Sequence, residues 1–212
     1  MLDRPIILAT RNKGKIKEFV ALLSGFDVAF QSLTDFGPVS EVVEDGTTFE
    51  ENAYKKASQT ARMLGFPALA DDSGLVVEAL GGAPGVRSAR YAGDGASDEE
   101  NNRKLLEALE GRDDRGAAFE CVISIAVPRG PALTYEARCE GEIARKPAGA
   151  NGFGYDPIFF CPPLGKTFAE LTAEEKNRVS HRGKAMAELR REFDKVLLWL
   201  EQRLREEPFQ PL

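Results

Sequence analysis

Short apolar runs that end in polar or glycine-containing segments alternate along the chain with stretches whose apolar residues recur every three or four positions. Ile6 to Ala9, after Pro5, predicts a central strand. Ile16, Phe19, Val20, Leu22 and Leu23 then predict a helix from Lys15, with Gly25 as its cap. Asp27 to Gln31 reads as a further strand. Thr48 and Glu51 have the spacing of a capping box, opening a helix with Phe49, Ala53, Ala57 and Leu64 as its apolar stripe. Pro67 to Ala70 reads as a buried strand that breaks at Asp71 and Asp72. Leu75 to Leu80 reads as a second strand, ended by the irregular loop that Gly81, Gly82, Pro84 and Gly85 impose.

In the second half, Ser97 and Glu100 form another capping box, for a helix through Leu105, Leu106 and Leu109 to Gly111. The period then changes. Ala117 to Val127 is β-branched and apolar, Pro128 to Pro131 signals a turn, and Leu133 to Ala144 is expected to return as an antiparallel partner. A glycine-flanked aromatic loop, Asn151 to Pro157, leads into Ile158 to Phe160. Thr172 and Glu175 cap a short helix through Lys176, interrupted at Ser180 to Gly183. Met186, Leu189, Phe193, Val196, Leu197, Leu200 and Leu204 mark a long final helix whose stripe is core. There is no internal repeat or low-complexity segment.

A chain of 212 residues can bury about 70% of its unfolded surface, enough for one substantial domain or two lobes sharing a sheet. Its 42% hydrophobic and 29% charged residues remove the disordered and fibrous classes. A net charge of -6 argues against a general nucleic-acid or anionic-membrane binder, so a phosphate ligand must meet a local basic pocket. Cys121, Cys139 and Cys161 are too widely spaced for a zinc pair and are expected as buried free thiols in a reducing compartment. The opening apolar run is too short for a signal peptide and no run spans a membrane, so a cytoplasmic location is expected. His181 is the single histidine, which removes multi-histidine metal sites.

The chemistry concentrates in the polar breaks. Side chains alternate along a strand, so Asp71 and Asp72 cannot both face the core, and at least one must meet solvent, a cation or a metal. The alternative is an ordinary Asp-Asp-Ser-Gly turn. Thr10, Arg11, Asn12, Lys13, Gly14 and Lys15 join a strand end to a helix N-terminus, where free N–H groups favour an anion and Lys13, Lys15 and Asn12 add donors. The alternative is a solvated loop, since the Walker pattern is absent. A second acidic cluster, Glu41 to Asp45, precedes the helix bearing Lys56. The rings of the Asn151 to Pro157 loop either pack on their own hairpin or stack on a planar base. Together these features suit hydrolysis of a nucleoside triphosphate, with Glu44, Asp71 and Asp72 holding Mg2+ and Lys15, Lys56 and Lys176 neutralising phosphates.

Five ordered blocks resemble the inosine triphosphate pyrophosphatases, also called dITP/XTP pyrophosphatases. They are ILATRNKGKIKEF (7–19), EDGTTFEENAYKKA (44–57), ALADDSGLVVEALGGAPGVRSARYAG (68–93), GFGYDPIF (152–159) and FAELTAEEKNRVSHRGKA (168–185). The resemblance implies an elongated, two-lobed α/β fold with a long mixed β-sheet flanked by helices and an active-site cleft between the lobes. It implies one pyrophosphatase domain over the whole chain, a homodimer, purine nucleoside triphosphates as substrates, and no nucleic-acid or membrane partner. It makes Thr10 to Lys15 the triphosphate loop, Asp72 the metal-bound proton acceptor and Ser73 a substrate contact. Phe153, Gly154, Tyr155, Asp156, Lys176, His181 and Arg182 hold the nucleotide, chiefly its base. Glu44 is a metal ligand, with Glu41 and Asp45 as alternatives, and Lys56 a phosphate contact. Position 11 is small and position 43 acidic in some relatives, whereas this chain has Arg11 and Val43. Two other readings are a septum-inhibitor-type nucleotide pyrophosphatase and a non-catalytic nucleotide-binding regulator.

Overall fold

The structure is a computed structural model that describes residues 2–206. Its strands form one mixed sheet of seven in the order β2-β1-β3-β4-β5-β6-β7. They are β1 (Ile6–Leu8), β2 (Phe30–Ser32), β3 (Ala68–Val77), β4 (Gly116–Ala126), β5 (Ala132–Ile143), β6 (Phe159–Cys161) and β7 (Lys166–Thr167). β1 pairs in parallel with β2 and with β3, whereas β5, β6 and β7 pair antiparallel. The helices are α1 (Lys13–Leu22), α2 (Phe49–Leu64), α3 (Asp98–Ala108), α4 (Ala173–Val179) and α5 (His181–Glu206).

The chain divides into two compact units. The first comprises Met1–Asp72, Val122–Glu136 and Ala185–Leu212, the second Ser73–Cys121 and Ala137–Lys184. In the first unit, Ala57 and Ala61 of α2 meet Ile7, Ala68, Ala70 and Ala126, and these small side chains let the helix backbone lie close to the strands. Thr48 caps α2 by accepting from the Glu51 N–H, while the Glu51 carboxylate reaches back to Thr47 rather than to Thr48. On α5, Phe193 meets Phe26 edge-on at 4.8 Å, and Arg190 donates to the carbonyls of Leu22, the last residue of α1, and of Ser24 beyond it.

The second unit is built on aromatic rings. Phe119 lies 4.6 Å from Phe159 and 5.8 Å from Phe168, within a cluster that includes Leu75, Leu105 and Ile158. Both predicted capping boxes of this unit, Ser97 with Glu100 and Thr172 with Glu175, are formed. Several glycines are sterically required, two of them beside the aromatic loop and the start of α5. A Cβ on Gly152, whose φ is +80°, would lie 2.0 Å from an Asp156 carboxylate oxygen, and one on Gly183 would lie 1.8 Å from the Asn177 carbonyl.

Three expectations are corrected. The strand does not break at Asp71 and Asp72: β3 runs through both for ten residues, so the Asp-Asp-Ser-Gly stretch is no turn, and the two predicted strands are one that ends at Val77, with Glu78–Leu80 in a short 3-10 helix. Residues 181–183 do not interrupt the helical run except at Ser180, because His181, Arg182 and Gly183 are already the first turn of α5. Helix α1 begins at Lys13 rather than Lys15, because the Asn12 side chain accepts from the N–H groups of Gly14 and Lys15 and caps it.

Candidate active site

Acids and lysines converge in the first unit. Asp71 and Asp72 are both buried, yet each meets a cation: Lys15 Nζ stands 2.9 Å from Asp71 Oδ2, and Lys56 Nζ stands 3.2 Å from Asp72 Oδ1. Alternation along β3 sends neighbouring carboxylates to opposite faces, so one helix start and one helix middle are needed to supply the two ammonium groups. Lys56 also lies 3.2 Å from Glu44 Oε1, which brings Glu44 and Asp72 to one ammonium. The acids before α2 differ in their partners. Glu44 turns to Lys56, whereas Asp45 pairs with the outward-facing Lys55 and Glu41 is exposed. Asp72 Oδ2 is buried without a hydrogen-bond partner.

Burial raises the Asp72 carboxyl above its usual range, opposed by Lys56, reinforced by Glu44 and again opposed by the Asn52 amide. Burial alone would lower the Lys56 ammonium, but Asp72, Asp71 and Glu44 together leave it above its ordinary value. The cluster therefore keeps a cation between two acids, one of which is a stronger base than a free carboxylate.

The Thr10 to Lys15 segment is held by internal hydrogen bonds. Asn12 faces the helix with its oxygen as an acceptor, so the Gly14 and Lys15 amides are satisfied internally, and Thr10 Oγ1 accepts from the Asn12 N–H at 3.1 Å. Arg11 donates to the carbonyls of Leu33 and Val39 at 3.3 and 3.2 Å and so pins the following loop. Lys13 is exposed on the first turn of α1, and Lys15 is the member that reaches an acid. Among the described residues no three Asp, Glu, His or Cys side chains gather at metal-binding distance. Glu44, Asp71 and Asp72 thus do not form one three-acid group.

The aromatic loop and the start of α5 form a second cluster, in the second unit. Asp156 is buried and its Oδ2 accepts from the Phe153 N–H at 2.9 Å and from Lys176 Nζ at 2.5 Å. Lys176 Nζ stands 4.6 Å above the half-exposed Phe153 ring, and the Arg182 guanidinium lies 5.8 Å from the same ring. The His181 ring stacks on Phe119 at 4.7 Å and 12°. Tyr155 is a structural member, buried with its hydroxyl on the Ser88 carbonyl at 2.8 Å, and burial pushes its pKa far up. Gly154 is held at both ends of its backbone, its N–H by Asp98 and its carbonyl by Asn102. Ser73 is half-buried on β3.

Sequence reasoning missed three residues. Asp98 and Asn102 anchor the aromatic loop from α3, and Asn52, wholly buried on α2, accepts from the Gly46 N–H and acts on the Asp72 carboxyl. The available signal was spacing: Asn52 precedes Lys56 by one helical turn.

A family profile described as the Ham1 family matches residues 6–192. A dITP/XTP pyrophosphatase of Syntrophobacter fumaroxidans is 64% identical over 95% of this chain and 87% of its own length. One from Desulfotalea psychrophila is 60% identical over 95% and 91%. The solved Ham1 protein of Coxiella burnetii superposes with a TM-score of 0.86 at 47% identity, covering 91% of this chain and 99% of that one. The Staphylococcus aureus Ham1 protein gives 0.85 at 43% identity, with the same coverage.

Proposed function

Because the chain belongs to the Ham1 family, we propose that it hydrolyses non-standard purine nucleoside triphosphates, ITP, dITP and XTP, to the monophosphate and pyrophosphate. The observation that carries the reading is the sharing of one lysine by Glu44 and Asp72, with a raised Asp72 carboxyl whose second oxygen is buried. Relatives named dITP/XTP pyrophosphatase at 60% identity and above favour it over a septum-inhibitor-type enzyme or a non-catalytic regulator.

The residues fit a magnesium ion. Asp72 keeps acceptor capacity on a buried oxygen, Glu44 supplies a second carboxylate nearby, and a few carboxylates with substrate phosphates suffice for this cation. Asp72 and Glu44 would hold it, with Asp71, tied to Lys15, as the outer acid. When bound, Mg2+ acidifies water and offsets the charge of the leaving pyrophosphate.

Water attacks the α-phosphorus, the bond from that phosphorus to the bridging oxygen breaks, and the bridging oxygen leaves with pyrophosphate. Asp72 takes the water proton, and its raised pKa makes this more favourable than for an ordinary carboxylate near 3.9. Lys13, Lys15 and Lys56 stabilise the phosphate charge, with Thr10, Asn12 and Gly14 shaping the loop and Arg11 pinning it. Ser73 contacts substrate.

Base selection rests on donors. Inosine and xanthosine carry a 6-keto acceptor where adenosine has an amino donor, so Arg182 and His181 favour the former and leave a mismatched adenine unpaired. The exposed Phe153 ring offers a stacking face, and Asp156 fixes Lys176 beside it. Gly154 and Tyr155 hold that loop in shape.

In this reading the whole chain works as one pyrophosphatase domain, as a homodimer in the cytoplasm. Buried free thiols and a net charge of -6 suit a reducing compartment and a small-molecule partner rather than nucleic acid. Among the described residues no helix is long and apolar enough to cross a membrane. The test is a panel of triphosphates assayed with Mg2+ and with chelator, resolving pyrophosphate from orthophosphate. Metal-dependent pyrophosphate from ITP and XTP well above ATP is expected, and orthophosphate release or equal use of ATP contradicts the proposal.

A further inference from the structure

Two buried polar atoms near the acid cluster have no hydrogen-bond partner, Nδ2 of Asn52 and Oδ2 of Asp72. One is only a donor, the other an acceptor. Asn52 is fully buried, and its orientation is fixed because its Oδ1 accepts from the Gly46 N–H at 2.8 Å. A backbone N–H can only donate, so the Asn52 NH2 group must point away from Gly46. Asn52 and Lys56 are four residues apart on α2 and share a face, and Lys56 already grips Asp72 Oδ1 at 3.2 Å. The other carboxylate oxygen is thus left for the preceding member of the pair. The approach at Gly46 is tight: a Cβ there would lie 2.6 Å from Asn52 Oδ1, so only glycine lets the asparagine reach that amide.

We propose that Asn52 is a positioning residue that fixes the two acids relative to each other. Its Nδ2–H donates to Asp72 Oδ2, while its Oδ1 holds Gly46 and, through it, the segment bearing Glu44. The bond uses one of two lone pairs on that oxygen, and the other remains for a cation. Forming that bond removes both unsatisfied atoms at once. The inference rests on the reading of Asp72 as proton acceptor and Glu44 as metal ligand, and assigns the group that keeps them in register.

The first test needs no turnover. In the metal-free, nitrogen-labelled protein, the Asn52 side-chain amide should show one proton shifted downfield and slow to exchange, and Asp72→Leu, which keeps the bulk but removes the acceptor, should abolish both. Identical Asn52 signals in the two proteins would overturn the proposal. The second test is kinetic. Partners that orient metal-binding carboxylates typically cost about 10- to 100-fold when removed, so Asn52→Leu and Gly46→Ala should each lower kcat by at least about tenfold and raise the Mg2+ needed for half-maximal rate. KM for nucleotide should change little, because the phosphate-binding lysines are untouched. A rise in KM with kcat intact, or no change in either, contradicts it. Wild-type pyrophosphate release and its loss in Asp72→Asn test the underlying function separately. An active wild type, an inactive Asp72→Asn and a full-speed Asn52→Leu would sink only the role of Asn52. Should Asn52→Leu fail to fold, the resonance comparison decides alone.

Discussion

Replacing Lys56 by methionine keeps the length of the side chain and removes the one ammonium that Glu44 and Asp72 share. Each contact is 3.2 Å, and the side chains of Lys56 and Asp72 are only 13% and 11% exposed, whereas that of Glu44 is 36% exposed. At an effective dielectric of about 20, each contact has a gross attraction of roughly 5 kcal/mol, most of it offset by the desolvation of the ions. Removing one partner of a buried pair costs about 3–5 kcal/mol, and the half-exposed Glu44 adds at most about 1 kcal/mol. Taking about 3 kcal/mol as the net loss, the melting temperature of a protein this size should fall by roughly 6–12 °C in chelator. Added Mg2+ should recover part of the loss, because a divalent ion then neutralises the two acids. Lys55→Met is the internal control. Lys55 lies next to it on α2 but pairs with Asp45, whose side chain is 63% exposed, so its loss should cost about 1 kcal/mol or less. Calorimetric scans of both variants, with and without Mg2+, check this. Equal melting temperatures for the two variants in chelator would refute the electrostatic account of the cluster.

Asp72→Asn should abolish turnover while nucleotide still binds, measured by single-turnover kinetics beside calorimetric titration; a near-native rate would remove Asp72 from the chemistry. Gly183→Ala drives a Cβ to within 1.8 Å of the Asn177 carbonyl and should destabilise by about 1–3 kcal/mol, read from urea unfolding. It should also raise KM by displacing α4 and its Lys176. Burial pushes the Cys139 thiol up to about 11, while an unfolded cysteine ionises near 8.5. The stability this contributes is therefore whole below roughly pH 8.5 and lost as pH rises toward 11. The denaturation midpoint of the wild type should fall relative to Cys139→Ala across that window, and a constant difference would contradict the assignment.

Local signals were readable and long-range ones were not. Ser97 with Glu100 and Thr172 with Glu175 announce helix starts because both halves of a capping box lie within one turn. The stripe from Met186 to Leu200 announces α5 for the same reason. Asp71 and Asp72 misled, because two adjacent acids look like the end of a strand until lysines arrive from α1 and α2 to meet them. Those partners are distant in sequence, so nothing local reveals a strand that carries buried charges on both faces. The different partners of Glu44 and Asp45 were illegible for a related reason: they depend on Lys56 facing inward and Lys55 outward. Asn52 looks like any helix asparagine until its burial is known, and Tyr155 resembles a stacking ring until its hydroxyl is found on the Ser88 carbonyl. Asn12 was correctly placed at a helix start, but its oxygen rather than its amide does the work there.

The central claim is that water, deprotonated by Asp72, attacks the phosphorus nearest the sugar. Hydrolysing ITP in heavy-oxygen water with Mg2+ and locating the label by mass spectrometry tests it directly. The account predicts the heavy oxygen in the nucleoside monophosphate and none in pyrophosphate; label in pyrophosphate, or in released orthophosphate, would contradict it.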